Sequence, residues 1–159
     1  MPVGDRMALV DERELYERHG RALVAFATSL VGPTDAPDVV QDATVSLIVS
    51  GKLAAAENPR ALMYRAVLAQ AKSMHRSVFR RRSRERRFAE SVVHQDPELL
   101  PDVVSALVRL SPQQRACIFL TYWEDQTPAT VGETLGIAEG TVKHHLAVGR
   151  DKLRRVLNG

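Results

Sequence analysis

The stretch TPATVGETLGIAEGTVKHHLAVGRDKLRRVL, residues 127–157, decides the fold of the C-terminal part of this chain. Thr127 followed by Pro128 is a helix-start signal, because the proline lacks only an N–H that a helix start leaves unpaired. Gly136 offers the left-handed backbone that ends a helix. Gly132 is small at the point where a second helix must cross closely. Together these residues predict a helix-turn-helix.

The second helix of this motif has two faces of different character. Its inward face carries Val142, Leu146, Gly149 and Leu153 at helical spacing. An exposed N-terminal face on such a helix is what a reader of the DNA major groove needs, and a helical hairpin that only packs is the alternative. The residues predicted to meet DNA here are Thr141, Lys143, His144, Ala147, Val148 and Arg150.

Composition and charge are those of an ordinary soluble globular protein. The 159 residues are 45% hydrophobic and 26% charged, with a formal net charge of +3, which allows one or two small domains. The single cysteine, Cys117, excludes an internal disulfide and is expected in the core, in a reducing compartment. No stretch is apolar enough to span a bilayer, and the acidic N-terminus does not make a signal peptide. We therefore predict a cytoplasmic protein without a membrane partner.

Helical periodicity dominates the whole chain, and strand signals are weak. The predicted helices cover about residues 11–31 and 35–50, a long helix after the Asn58-Pro59 cap, a short one near 103–110 and one after the Ser111-Pro112 cap. Residues 51–57 read as a connection. The long helix ends in a dense basic run of Lys72, Arg76, Arg80, Arg81, Arg82, Arg84, Arg86 and Arg87. Such a run is either a solvated, frayed helix end or a surface for a polyanion such as phosphate.

The charge reverses after this run. Residues 89–102, AESVVHQDPELLPD, are acidic and contain two prolines and no basic residue, as an interdomain linker does. The fold class predicted is therefore all-α, with two small helical domains joined by a flexible linker. The expected division is 1–87 for the first domain, 88–101 for the linker and 102–159 for the helix-turn-helix domain.

Signals for catalysis are absent from the sequence. Gly51-Lys52 lacks the upstream glycine and the following Ser or Thr of a phosphate-binding loop, and the five histidines form no zinc motif. Asp38 and Asp42 share a helical face, where a solvated or partner-facing surface is favoured over a metal site because no third ligand is near. We predict no enzyme activity, cofactor, metal or small-molecule substrate.

Three stretches together resemble a known family. These are DAPDVVQDATVSLI (35–48), NPRALMYRAVLAQAKSMHRSVFRRRSR (58–84) and the C-terminal segment from Leu110 to Leu157, with its typical fragment Gly-Thr-Val-Lys at 140–143. In this order they are similar to the bacterial extracytoplasmic-function (ECF) sigma factors, the minimal type of the sigma-70 family. The resemblance covers nearly the whole chain and implies the two helical domains called sigma-2 and sigma-4.

The resemblance also implies partners and roles. It implies that core RNA polymerase and promoter DNA are partners of this chain. Whether an anti-sigma factor is a third partner stays open. Polymerase binding falls on Asp38, Val39, Gln41 and Asp42, with apolar surface near Phe119, Tyr122 and Trp123 for the polymerase flap. Capture of the −10 element falls on Tyr64, Arg76, Arg80, Arg81 and Arg82, and reading of the −35 element falls on the helix-turn-helix.

Several positions depart from the family pattern. Leu62 stands where tryptophan is common, Leu68-Ala69 where Arg-Asn is common, and Ser73 where aspartate is usual. His145 and Val148 stand where arginine is frequent. The missing tryptophan and asparagine keep open a protein that docks on polymerase without melting DNA. A stand-alone helix-turn-helix regulator, which would bind duplex DNA as a dimer on a palindrome, is the other alternative.

Overall fold

The computed structural model describes residues 3–88 and 106–158, and the side chains of 12–77 and 106–158. Within these ranges the fold is helical. The helices are α1 (Val3–Val31), α2 (Ala36–Val49), α3 (Lys52–Ala55), α4 (Pro59–Phe88), α5 (Pro112–Tyr122), α6 (Pro128–Leu135) and α7 (Glu139–Asn158), with a further helical turn at 106–108. We call residues 3–88 module 1 and residues 106–158 module 2.

Three helix starts are fixed by side-chain caps that the sequence predicts. The Asn58 carboxamide oxygen accepts a hydrogen bond from the Ala61 N–H at 3.1 Å. Ser111 and Gln114 form a reciprocal capping box at the start of α5, and Thr127 accepts from the Thr130 N–H at the start of α6. A proline follows each of the three capping residues, and its fixed φ suits the first helical turn.

Module 1 is a bundle in which α1, α2 and α4 pack against one another. Gly32, with φ of +88°, ends α1 and lets the chain turn into α2. The helical face predicted for α4 is buried at Val67, Leu68 and Ala71. Other core residues of the bundle are Leu23, Phe26, Ala27, Leu30, Val39, Val40, Ala43, Leu47 and Met63.

Module 2 folds around α7, which packs against both α5 and α6. Val131 of α6 and Val142 of α7 are fully buried, and Leu146 is nearly so. Cys117 is fully buried in this core, as predicted, and burial raises its thiol pKa to about 11. The thiol is therefore protonated and unreactive at neutral pH.

The two modules share one continuous core. Helix α1 contacts α5, and α4 contacts both α5 and α6. Phe26 of module 1 lies with its ring centroid 5.7 Å from that of Phe119 in module 2, and 5.0 Å from that of Tyr64. Such tilted aromatic contacts bury large apolar surfaces. The modules are thus packed together rather than separate.

The structure departs from the predicted helix map at two places. Helix α1 begins at Val3, eight residues earlier than its apolar stripe indicates. The predicted connection over 51–57 contains the short helix α3, which follows Gly51 at φ of +72° and buries Leu53 in the core. Most of the predicted linker lies outside the described residues. No helix in the described ranges is long and apolar enough to cross a membrane.

Candidate nucleic-acid interface

The turn between α6 and α7 has the backbone that the sequence predicts. Gly136 adopts φ of +69°, the left-handed conformation that ends α6. A Cβ atom on Gly132 would lie 2.7 Å from the Ile137 carbonyl oxygen, so only glycine fits beneath the turn. The sequence predicts that Gly132 lies close to the crossing helix, whereas in the structure it lies close to the backbone of the turn. These two glycines fix the angle at which α7 leaves α6.

Helix α7 presents its N-terminal half to solvent. Val142, Leu146 and Gly149 anchor the helix on the core. The opposite face carries Thr141, Lys143, His144, Ala147 and Arg150, all exposed, while Val148 is half-buried at its edge. Five of the six residues predicted for DNA reading therefore lie on one accessible surface. We call Thr141, Lys143, His144 and Ala147 the reading face.

The cations on α7 have partners within the protein. The Lys143 ammonium lies 3.2 Å from a Glu139 carboxylate oxygen, in an exposed pair one helical turn apart. The Arg150 guanidinium lies over the Tyr122 ring, 5.6 Å from its centroid, which restricts the side chain without neutralising it. Both charges remain available to an anion, because exposed pairs of this kind are weak.

Two adjacent histidines lie on α7 in different surroundings. Their ring centroids are 6.0 Å apart, with His144 on the exposed face and His145 half-buried. The Nδ1 atom of His145 is buried and has no hydrogen-bond partner among the described residues. Burial lowers the pKa of His145, and the nearby charges of His144 and Lys72 lower it further. His145 therefore belongs to the packed side of the helix and not to the reading face.

The residues predicted for the −10 element are placed unequally on α4. Tyr64 is fully buried between the modules, and its hydroxyl lies 3.4 Å from a Glu124 carboxylate oxygen. Burial and the Glu124 charge raise the Tyr64 pKa to about 12. Arg76 is exposed. The side chains of Arg80, Arg81 and Arg82 lie outside the described set, and their backbone continues α4. Tyr64 cannot stack on a base while the modules are packed together.

The outer face of α2 carries the residues predicted for polymerase binding. Asp38, Gln41 and Asp42 are exposed, but Val39 is a core residue with 3% of its surface accessible. Val39 therefore holds the helix in place beneath this face. The C-terminal end of α2 also exposes Val45, Ile48 and Val49, and the last of these is 81% exposed. A cleft of about 290 Å³ separates α2 from α4 beside Asp38 and Asp42.

An apolar surface lies at the end of α5. Trp123 is 73% exposed and Tyr122 is 58% exposed. Phe119 is half-buried and stacks on Trp123, with 6.0 Å between ring centroids. Two of the three residues predicted for the flap are thus accessible, while Phe119 joins them to the core between the modules.

Two arginines have structural roles that the sequence does not indicate. Arg65 of α4 donates to the carbonyl oxygens of Glu133 and Thr134 at the end of α6, at 2.6 and 3.1 Å. Arg115 of α5 donates to the Leu30 carbonyl oxygen at 2.7 Å, near the end of α1. Both lie within stretches that carry the family resemblance, but neither belongs to the charge run or to a predicted site, so only the packing of the modules reveals their roles. In the described ranges, no group of three His, Cys, Asp or Glu residues could hold a metal.

Comparison with known proteins finds similarity to sigma factors. Residues 106–155 match the family Sigma-70, region 4. The chain is 29% identical to the ECF RNA polymerase sigma factor SigL of Mycobacterium tuberculosis, an alignment that covers 91% of this chain and 88% of the relative. Among solved structures, it is similar to the sigma factor RpoE from Bartonella quintana, solved in complex with the anti-sigma factor NepR. That likeness has a TM-score of 0.64 and 25% identity, and it covers 93% of this chain and 97% of the other. Residues 106–155 therefore resemble region 4 of the sigma-70 family, and nearly the whole chain is similar to ECF sigma factors.

Proposed function

We propose that this sigma factor directs RNA polymerase to promoters by using three surfaces, one for the −35 element, one for the −10 element and one for the polymerase. The observation that carries the proposal is the reading face of α7, which is exposed while Val142, Leu146 and Gly149 anchor the helix from behind. Sigma factors act by binding, and no residue here is given a catalytic role. The expected division into 1–87, 88–101 and 102–159 stays part of the proposal.

The reading face supplies the chemistry for duplex recognition. Lys143 can donate to the acceptors that guanine presents in the major groove, and Ala147 can contact a thymine methyl group. Thr141 and His144 can hydrogen-bond to base edges beside them. Arg150, which is exposed and restricted by Tyr122, would contact phosphate and set the register of the helix. The half-buried Val148 closes the edge of this surface.

The basic end of α4 is proposed for the −10 element. Arg76, Arg80, Arg81 and Arg82 would hold the backbone of the opened strand, because dense cations offset phosphate charge in a sequence-independent way. Tyr64 can stack on a base only after module 2 moves away from it. The family's tryptophan and Arg-Asn are absent here, so this element depends more on backbone contacts.

The exposed face of α2 is proposed for the core polymerase. Asp38 and Asp42 present carboxylates one turn apart with Gln41 beside them. Neutralising cations on the polymerase would complement this face. Tyr122 and Trp123 offer a second, apolar contact for the flap. A partner of RNA polymerase would act in the cytoplasm, and that localisation is part of the proposal.

An anti-sigma factor is a further proposed partner. The support is the likeness to the RpoE of Bartonella quintana, whose solved structure contains one. Co-purification of a tagged chain from the source cells, in the absence of the inducing condition, would detect such a partner. A chain that is always recovered alone or with polymerase would remove this proposal.

Reconstituted transcription tests the proposed function. Purified protein and sigma-free core polymerase are mixed with a fragmented genomic library, and the 5′ ends of transcripts are mapped. Discrete starts that share paired upstream elements are expected. Stable polymerase binding without transcripts would indicate a protein that docks but does not melt DNA. Specific retention of duplexes by the protein alone, with no effect of polymerase, would indicate a stand-alone regulator instead.

A further inference from the structure

A carboxylate and an ammonium group lie side by side at the start of α7. The Glu139 carboxylate oxygen and the Lys143 Nζ atom are 3.2 Å apart, and the two side chains are 52% and 63% exposed. The residues are four positions apart, so they project from the same side of the helix. In helix-turn-helix proteins, the N-terminal residues of the second helix contact base edges. We call Glu139 and Lys143 the charged pair, and it lies at the end of α7 that would enter the major groove.

The backbone that carries the charged pair is held firmly by the turn before α7. The Glu139 backbone nitrogen is 3.5 Å from the position that a Cβ on Gly132 would take, so α6 packs closely against the first residue of α7. The Val142 N–H donates to the Ala138 carbonyl oxygen at 3.1 Å and closes the first turn of the helix. A Cβ on Gly140 would meet nothing within 4 Å, so the approach to the pair is open. The local fold therefore positions the charged pair without covering it.

Helix stabilisation is the simpler role for these two charges. An acidic residue in the first turn is favoured by the helix dipole, and an exposed ion pair adds little to stability. A second pair on α7, Asp151 with Arg155, has the same spacing and 3.1 Å between its charged atoms. It lies toward the other end of the helix, away from the groove. The two pairs thus differ in their place on α7 and not in kind, which makes the second a control for the first.

The edge of a base pair in the major groove complements such a pair of charges. A guanine–cytosine pair presents the guanine O6 acceptor next to the cytosine N4 donor, and a thymine–adenine pair presents the thymine O4 acceptor next to the adenine N6 donor. The acceptor and the donor are hydrogen-bonded to each other, so they lie about 2.9 Å apart. The 3.2 Å separation in the charged pair matches this spacing. Lys143 can therefore donate to the acceptor while Glu139 accepts from the donor beside it.

The two charges also distinguish the orientation of the base pair. When the base pair is reversed, an amino group faces the Lys143 ammonium and a carbonyl oxygen faces the Glu139 carboxylate, so both contacts become repulsive. A lysine alone would meet only one repulsive contact on reversal. Guanine is favoured over thymine on the Lys143 side, because its N7 atom offers a second acceptor.

We propose that Glu139 is a specificity-determining residue of the −35 contact. With Lys143 it selects one base pair that has guanine or thymine on the strand that Lys143 contacts and cytosine or adenine opposite. The −35 contact itself rests on the proposed function above, and the charged pair names a base pair that this contact selects. Because the pair carries no net charge, it adds little to the attraction for phosphate. Its effect is on the choice of sequence and not on the affinity for DNA in general.

Transcription from a randomised promoter library tests the charged pair in the complete holoenzyme. The full chain and core polymerase are supplied with a promoter, mapped as above, in which each position of the −35 element carries all four bases. In the wild type, one position should favour guanine or thymine on one strand over cytosine or adenine by about tenfold or more. Glu139→Ala should lower that ratio several-fold at this position alone. The same variant should bind unrelated duplex DNA more tightly, because Lys143 is released to contact a phosphate.

Two further variants separate base selection from helix stabilisation. Asp151→Ala is the matched control, because it removes the same kind of carboxylate from the second pair on α7. It makes the same change in net charge and should leave every base preference unchanged. Exchange of the two charges, Glu139→Lys with Lys143→Glu, should reverse the preference at the selected position. A change in helix stability cannot produce that reversal, and circular dichroism of each variant measures the helix content directly.

The outcomes distinguish this proposal from the proposed function. A Glu139→Ala variant that keeps the wild-type preference, or a charge exchange that does not reverse it, would overturn the role of Glu139 while initiation at discrete promoters stands. A wild type in which no −35 position separates guanine and thymine from cytosine and adenine would do the same. If the holoenzyme does not initiate at all, the proposed function fails. Retention of the same library as duplex DNA by the chain alone then decides the charged pair by the same base preferences.

Discussion

The two surfaces proposed to bind DNA differ in how they are made. The reading face of α7 is complete within module 2, because its anchoring residues and its turn glycines all lie between residues 127 and 149. The surface proposed for the −10 element on α4 is incomplete, since Tyr64 is buried between the modules whereas Arg76 is exposed. One surface is a property of a local motif, whereas the other depends on the arrangement of the modules.

This difference separates two kinds of control. A surface that is always exposed can bind whenever a partner is present. A surface that is covered by its own chain can bind only after a conformational change, and its apparent affinity falls with the fraction of open molecules. The −35 contact is therefore expected to be constitutive and the −10 contact conditional.

The largest effect is expected from breaking the turn of the reading motif. Gly132→Val would push side-chain atoms into the Ile137 carbonyl, which an added Cβ already approaches to 2.7 Å. We expect a loss of about 2–4 kcal/mol in the free energy of unfolding, measured by urea denaturation. The matched control is Gly140→Val, whose Cβ would meet nothing within 4 Å, and it should change stability by less than about 0.5 kcal/mol. Equal losses would mean that the turn does not constrain the motif.

The second prediction sharpens the assignment of the reading face. Lys143→Ala should weaken binding to the cognate −35 element by about 1–2 kcal/mol and relax specificity there. Binding would be measured with polymerase holoenzyme on promoters that differ only in this element. Arg155→Ala is the control, because it removes a similar exposed cation, paired with Asp151, from the far end of the same helix. A loss that is identical on every promoter would contradict a base-reading role for Lys143.

The third prediction concerns the basic run of α4. Arg80→Ala combined with Arg81→Ala should weaken DNA binding by about 1 kcal/mol on all sequences. The slope of log affinity against log salt concentration should fall by the equivalent of about one to two phosphate contacts. Fork-junction DNA titrated with holoenzyme between low and physiological salt gives both quantities. A selective loss on one −10 sequence, with the salt slope unchanged, would instead assign base reading to these arginines.

Much of the architecture follows from local sequence signals. The caps at Asn58, Ser111 and Thr127 act within one helical turn, so each can be recognised without knowledge of the rest of the chain. The same holds for Gly136, whose position between two amphipathic stretches requires a left-handed residue. Helical periodicity then gives the inner face of α7 directly.

Contacts between the modules could not be predicted in this way. Tyr64 and Arg65 are neighbours on α4, yet one is buried and the other caps a helix of module 2. Periodicity shows that Tyr64 faces inward, but not which module covers it. Val39 illustrates a second limit, since this residue of the stretch predicted to bind polymerase is a core residue. Tertiary packing decides these roles.

The smallest expected effect is a pH dependence of stability that arises from His145, on the packed side of α7. Burial lowers the pKa of His145 below its usual 6.5, and the charges of His144 and Lys72 act in the same direction. The unfolded chain then binds a proton at this site more tightly than the folded protein does. The contribution of His145 to the free energy of unfolding is therefore complete above about pH 6.5, and it is lost as the pH falls below that value. His19, whose pKa burial and Arg60 also lower, adds a loss of the same sign.

Denaturation midpoints measured between pH 8 and pH 5 test this coupling. The wild type should lose stability as the pH falls through this range, and His145→Gln should lose less, because glutamine does not titrate. The test compares how steeply the denaturation midpoint changes with pH in the two proteins, and not the midpoint at a single pH. The glutamine side chain also changes the packing at this position, because the buried Nδ1 of His145 has no partner in the described part of the chain. A His145→Gln variant with an unchanged slope would show that this histidine is as accessible to protons in the folded protein as in the unfolded chain.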